Sequence, residues 1–270
     1  ALPDIQGIIT SGYGHLSSGA YLFLRFDVAS TAKAWLRDLV PQISTAARWP
    51  TDENGSTIKP DSALFFALTS TGLKAIGLPD EALTTFPNEF IEGMASQRRA
   101  DILGDKGDNA SENWDFGGAP EHMHALLVIL ARDPDQRDAL VNEQESKFNG
   151  VTLTARENGD KLPDNREHFG FLDGVSQPEI DASARSSEVS EPTIKPGEFI
   201  LGYENEYGKI PFSPRLKGED LGRNGSYLVF RKLYQNVAAF WQHIEAKAGD
   251  EGAVWLASKF VGRWPNGTPL

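Results

Sequence analysis

A chain of 270 residues, 40% hydrophobic and 10% aromatic, can bury a core without staples and is too apolar to be disordered. Its formal net charge of −12, with no basic run longer than Arg98-Arg99, excludes a surface built to track a phosphate backbone. The lack of cysteine excludes disulfides, thiolate catalysis, iron–sulfur clusters and Cys-based zinc sites in this chain.

No apolar run reaches the roughly 18–20 residues that span a bilayer. The start, Ala1-Leu2-Pro3-Asp4, has neither the charged n-region nor the apolar h-region of a signal peptide, and it lacks an initiator Met, as a trimmed product would. Sequons at Asn54, Asn109, Asn224 and Asn266 favor a secreted, extracellular protein, whereas the lack of cysteine weighs toward a cytoplasmic one.

In chain order, Tyr21–Val28 is partly alternating and rich in aromatic and branched residues, which predicts a strand. Ser30 stands at an N-cap position before Ala32, Trp35, Leu36, Leu39 and Val40, spaced as one helix face and stopped by Pro41. Ala63–Thr69 predicts a second strand, apolar on both faces, followed by a short helix with Leu73, Ile76 and Leu78. Gly104–Pro120 is polar, glycine-containing and aperiodic, a long loop whose length suggests a functional or partner-contacting role. A strand over His122–Leu130, a helix over Asp133–Phe148 and an alternating strand over Val151–Arg156 complete the pattern.

This order predicts an α+β fold, a ferredoxin-like sandwich of antiparallel sheet and helices, over residues 1–160. Within 161–270, Ala182–Pro196 reads as a surface loop and Gly197–Pro214 as irregular. Gly225–Lys232 reads as a strand, and Asn236 caps a helix with Val237, Phe240, Trp241, Ile244 and Ala248 on its apolar face and Gly249 at its C-terminal cap. A strand followed by a helix is the opening of a second ferredoxin-like unit that needs a further chain segment.

The stretch with chemical content is Glu167–Pro178, EHFGFLDGVSQP. Gly170 and Gly174 allow a tight backbone path, Phe171 and Leu172 exclude water, and Asp173 between them is expected to be partly desolvated, as a proton shuttle requires. The plain alternative is a turn, since Asp-Gly is a common turn pair.

This stretch resembles the GxxDG signature of the dye-decolorizing peroxidases. Further blocks resemble that family's long members in the expected order: Asp4-Ile5-Gln6-Gly7, Glu198–Tyr203, Asn224–Leu233 and Lys259–Leu270. The resemblance implies heme b between sheet and helices, hydrogen peroxide as oxidant, and dyes, phenols or similar aromatic reductants. It makes Asp173 the distal acid–base residue and Phe171, Gly174, Val175, Ser176 and Gln177 the residues lining the heme.

The departure from the family lies beyond Lys259–Leu270, where the resemblance places the proximal histidine that ligates iron and then the distal arginine. Neither is expected in this chain, so either a second polypeptide carries both or the chain is a truncated form of a longer one. Arg231 belongs to an upstream block and reads as structural. The five histidines offer no obvious substitute: His15 lies in an exposed glycine-rich loop, His122 and His124 share a strand face without a third ligand, His168 is given no role, and His243 flanks a helix face. Trp49, Trp114, Trp241, Trp255 and Tyr234 could pass electrons to the surface, although core packing explains most of them. The competing classes are a noncatalytic heme- or partner-binding module and a chlorite-dismutase-like enzyme.

Overall fold

The computed structural model describes residues 2–119, 122–174, 178–180 and 193–270. It opens with β1 (Ser18–Phe26), α1 (Ala29–Leu39) and β2 (Ser62–Leu68). Four short helices follow: α2 (Ser70–Ala75), α3 (Asp80–Leu83), α4 (Asn88–Glu92) and α5 (Gln97–Leu103). Then come β3 (Ala125–Ala131), α6 (Pro134–Ser146) and β4 (Val151–Asp160). The sheet runs β2-β3-β1-β4 with every neighboring pair antiparallel. A helical connection precedes β2 and another precedes β4, which is the ferredoxin-like split βαβ pattern that the sequence predicts.

Two compact units result, one of Ala1–Asp160 with Glu179–Tyr227, the other of Lys161–Pro178 with Leu228–Leu270. The first break falls after Asp160. The stretch 179–227 packs with the first unit rather than with the signature segment, as a single boundary at that point would require.

In the first unit, alternate residues of β1 (Ala20, Leu22, Leu24, Phe26) and β3 (Ala125, Leu127, Ile129) meet Ala32, Trp35 and Leu39 of α1 and Val141 of α6. Each such large side chain contributes about 1.5–3 kcal/mol by leaving water. Between these positions Phe23 is buried too, and Phe116 stacks on it with ring centroids 4.2 Å apart. Phe116 belongs to the long loop that the sequence marks out, so at least part of that loop covers the sheet.

Some local expectations need correction. α1 begins at Ala29 with Val28 as its N-cap, so Ser30 lies inside the helix and caps nothing. β3 begins at Ala125, which leaves His122 and His124 before the strand; His124 Nδ1 accepts a hydrogen bond from Phe26 N (2.9 Å). His15 is half-buried beside Tyr13 and Trp49, with Nε2 2.8 Å from Pro60 O, because those two aromatic rings cover a loop that composition alone marks as exposed.

Gly72 in α2 is a close-approach glycine: a Cβ there would lie 1.9 Å from His124 O. Backbone cannot yield as a flexible side chain does, so Gly72→Ala should destabilize the first unit by about 1–3 kcal/mol or more in urea titration.

Arg137 of α6 is only 6% exposed, and it donates to Asp138 Oδ1 (3.0 Å), Asp160 Oδ1 (3.0 Å) and Ser18 Oγ (3.1 Å). The Arg137 guanidinium, with Arg156 second, holds the Asp138 carboxyl below the usual carboxylate range. The unfolded chain therefore binds more protons at this site, and the stabilization is complete above about pH 4 and disappears as pH falls through the lowered folded value. Urea midpoints between about pH 5 and pH 3 should accordingly fall more steeply in the wild type than in Asp138→Asn.

A two-residue hairpin, β5 (Arg215–Leu216) and β6 (Glu219–Asp220), closes the first unit. In the second unit α7 (Val237–Val261) starts at the Asn236 cap, whose side chain accepts from Ala239 N (3.0 Å). Gly249 takes φ 66°, ψ 168° and breaks the helix as expected, but the chain resumes helical structure to Val261 and is capped by Gly262. No helix among the described residues is long and apolar enough to cross a membrane.

The expected strand at Gly225–Lys232 is not formed among the described residues. A strand exists only with a hydrogen-bonded neighbor, and its branched and aromatic composition instead leaves Leu228 53% and Val229 77% exposed.

Candidate functional site

The signature segment folds as a turn against α7. Phe171 is 2% exposed and packs with Ile244, Ala253 and Ala257; its ring is stacked parallel to Trp241. Phe169 lies against Phe240, and Trp241 Nε1 donates to Phe169 O (3.2 Å). The aromatic pair flanking Gly170 thus anchors the turn in this chain's own core. Phe171, which the resemblance assigns to the heme lining, is a buried anchor here, because Phe169 and Phe171 both turn toward α7.

Gly170 and Gly174 have φ of 96° and 70°, left-handed values that a side chain resists, and apart from chain neighbors nothing lies within 4 Å of where their Cβ atoms would sit. Asp173 between them is exposed. The desolvation expected from Phe171 and Leu172 is absent because Phe171 turns inward and Leu172 is only half-buried. Asp173 N donates to Asn165 O (2.9 Å), and Asp173 Oδ1 accepts from Gly174 N (2.7 Å). Among the described residues Oδ2 has no hydrogen bond, so one carboxylate oxygen is held and the other is open. Val175, Ser176 and Gln177, which the resemblance assigns to the heme lining, lie outside the described residues, as do residues 182–192 of the expected Ala182–Pro196 loop.

Elsewhere, His168 and His243 are exposed, and Arg231 lies in a largely exposed stretch. Of the aromatic residues considered for electron passage, Tyr234 (90%) and Trp255 (52%) face solvent, while Trp49, Trp114 and Trp241 are half-buried. No group of three or more His, Asp or Glu among the described residues could hold a metal. A cavity of about 280 Å³ lies in the first unit among Trp35, Asp38, Leu39, Gln42 and Lys147, and none of the predicted site residues lines it. Sequence reasoning gave Arg166 and Glu167 no role, yet both bond to the signature turn.

A ferredoxin-like sandwich that precedes a glycine-bounded, aromatic-anchored aspartate turn defines the class, and comparison with known proteins narrows it. No protein-family model matches the chain. It is 28% identical over its whole length to the dye-decolorizing peroxidase msp1 of Mycetinis scorodonius, covering 52% of that protein. To the dye-decolorizing peroxidase of Mycena epipterygia it is 30% identical, covering 50%.

Among solved structures, a dye-decolorizing peroxidase in complex with 2,6-dimethoxyphenol superposes with TM-score 0.79 at 26% identity, over 99% of this chain and 60% of that one. A fungal DyP-type peroxidase from Auricularia auricula-judae gives TM-score 0.76 at 25% identity, over 99% and 57%. By sequence and fold the chain is related over its full length to the dye-decolorizing peroxidases. It spans about half the length of the curated relatives it matches.

Proposed function

We propose that this chain is the acid–base portion of a heme peroxidase of the dye-decolorizing type, with Asp173 as the carboxylate that moves the peroxide proton. The observation that carries the reading is the full-length relation to such peroxidases together with a turn that holds one oxygen of Asp173 and leaves the other open.

The described residues do not fit a heme by themselves. Asp173 and Gly174 face solvent, the space around Gly174 is open, and no candidate metal-ligand set is described. They supply one carboxylate and, in the second unit, several exposed apolar side chains, Leu228, Val229, Phe260 and Trp255, each more than half exposed. The heme b that the family implies therefore needs a further segment carrying the iron ligand and the distal arginine. The half-length coverage of the relatives accommodates such a segment. Hydrogen peroxide is the oxidant in this reading, with phenols or dyes as reductants.

In this reading Asp173 Oδ2 takes up a proton and gives it back, while Oδ1 stays fixed by Gly174 N so that the group does not rotate between the two events. Enclosure by the further segment supplies the dry surroundings that this chain alone does not. Peroxide-dependent bleaching of a dye by the complete protein, with the further segment present, tests the activity. Bleaching without oxygen release from chlorite is expected; oxygen release from chlorite, or neither reaction, contradicts it.

A further inference from the structure

Six consecutive backbone N–H groups, from Phe169 to Gly174, are hydrogen-bonded although the segment belongs to no helix and no named strand. Phe169 N donates to Glu167 Oε2 (2.8 Å), Gly170 N to Glu167 O (2.9 Å) and Phe171 N to Glu167 Oε1 (2.9 Å). Leu172 N donates to Pro265 O (3.0 Å), Asp173 N to Asn165 O (2.9 Å) and Gly174 N to Asp173 Oδ1 (2.7 Å). Exposed loops ordinarily leave part of this work to water, so a fully partnered loop backbone has little freedom to tilt.

Glu167 terminates half of these bonds, and both of its carboxylate oxygens are used. Arg166 works from the acceptor side: its Nη1 donates to Gly170 O (2.7 Å) and to Pro265 O (2.8 Å). The same Pro265 carbonyl receives Leu172 N, so Arg166 joins the turn to the 263–269 hairpin at the residue next to Asp173. The Phe169 and Phe171 rings fix the turn's depth, while Glu167 and Arg166 fix its rotation.

We infer that Glu167 and Arg166 are positioning residues that set the direction in which Asp173 presents its open oxygen. The inference rests on the proposed role of Asp173. Glutamine in place of Glu167 keeps the volume but offers one acceptor and turns an NH₂ group toward the second N–H, so one bond is lost and two donors face each other. A misplacement of about 1 Å in a reacting group can cost roughly 10²-fold in rate.

The test uses the complete peroxidase and compares Glu167→Gln, Arg166→Met, Arg166→Lys and Asp173→Asn. Amide hydrogen exchange over residues 167–174, the stopped-flow rate with hydrogen peroxide, the KM for the reductant and the heme content are measured for each. Glu167→Gln and Arg166→Met should speed exchange across the turn and slow the peroxide reaction by about tenfold or more, with reductant KM and heme content unchanged. Arg166→Lys, which can still donate to both carbonyls, should restore most of the rate.

An unchanged peroxide rate in Glu167→Gln and Arg166→Met, with Asp173→Asn inactive, overturns the positioning inference alone. An unchanged rate in Asp173→Asn overturns the reading on which it rests. Loss of heme or of cooperative unfolding in both Glu167→Gln and Arg166→Lys would make these residues merely structural and would also overturn the inference.

Discussion

On the proposed reading, Asp173→Asn in the complete protein should slow the reaction with hydrogen peroxide by about 10²–10⁴-fold, the usual contribution of a positioned acid–base group. The substitution is conservative in shape. The asparagine carbonyl can still accept from Gly174 N, which lies 2.7 Å from Oδ1, and the backbone bond to Asn165 O is untouched. What is lost is the oxygen that can take up and return a proton. Heme content and thermal midpoint should therefore match the wild type, and stopped-flow mixing with peroxide isolates the affected step. Equal rates in the two proteins would remove Asp173 from the chemistry.

Phe171→Ala should destabilize the second unit by about 3–5 kcal/mol, the range for deleting a buried aromatic ring. The ring is 2% exposed and is surrounded by Ile244, Ala253, Ala257 and Trp241. That unit holds only 161–178 and 228–270, so it has a small core and little else to compensate. Urea unfolding followed by hydrogen exchange of the second unit's backbone amides should show a lower midpoint, and Phe171→Leu should fall between the two proteins. A midpoint unchanged in Phe171→Ala would mean that the turn is anchored some other way.

Strand and helix periodicity made the first unit legible. Apolar residues two apart in β1 and β3, and three to four apart in α1, mark a sheet face and a helix face that can bury only each other. Gly225–Lys232 misled for a related reason: its residue types suit a strand, but pairing is a property of two segments and the sequence shows one.

Asp173 was legible as a chemical candidate and wrongly placed in its surroundings. Apolar neighbors along the chain do not dry a side chain when the turn sends Phe171 inward and Asp173 outward. Arg166 and Glu167 carried no visible signal of their own, because their value comes from Gly170 O, Pro265 O and the N–H groups of Phe169 and Phe171. Pro265 is some 99 residues from Arg166, a separation no local pattern spans.

The central claim, that this chain completes a heme site only together with a further segment, is tested most directly by the absorption spectrum and native mass of the protein purified from its source. A Soret band on a species heavier than the 29.6 kDa of this chain is the predicted result. A stable 29.6 kDa species that shows a Soret band by itself would contradict it.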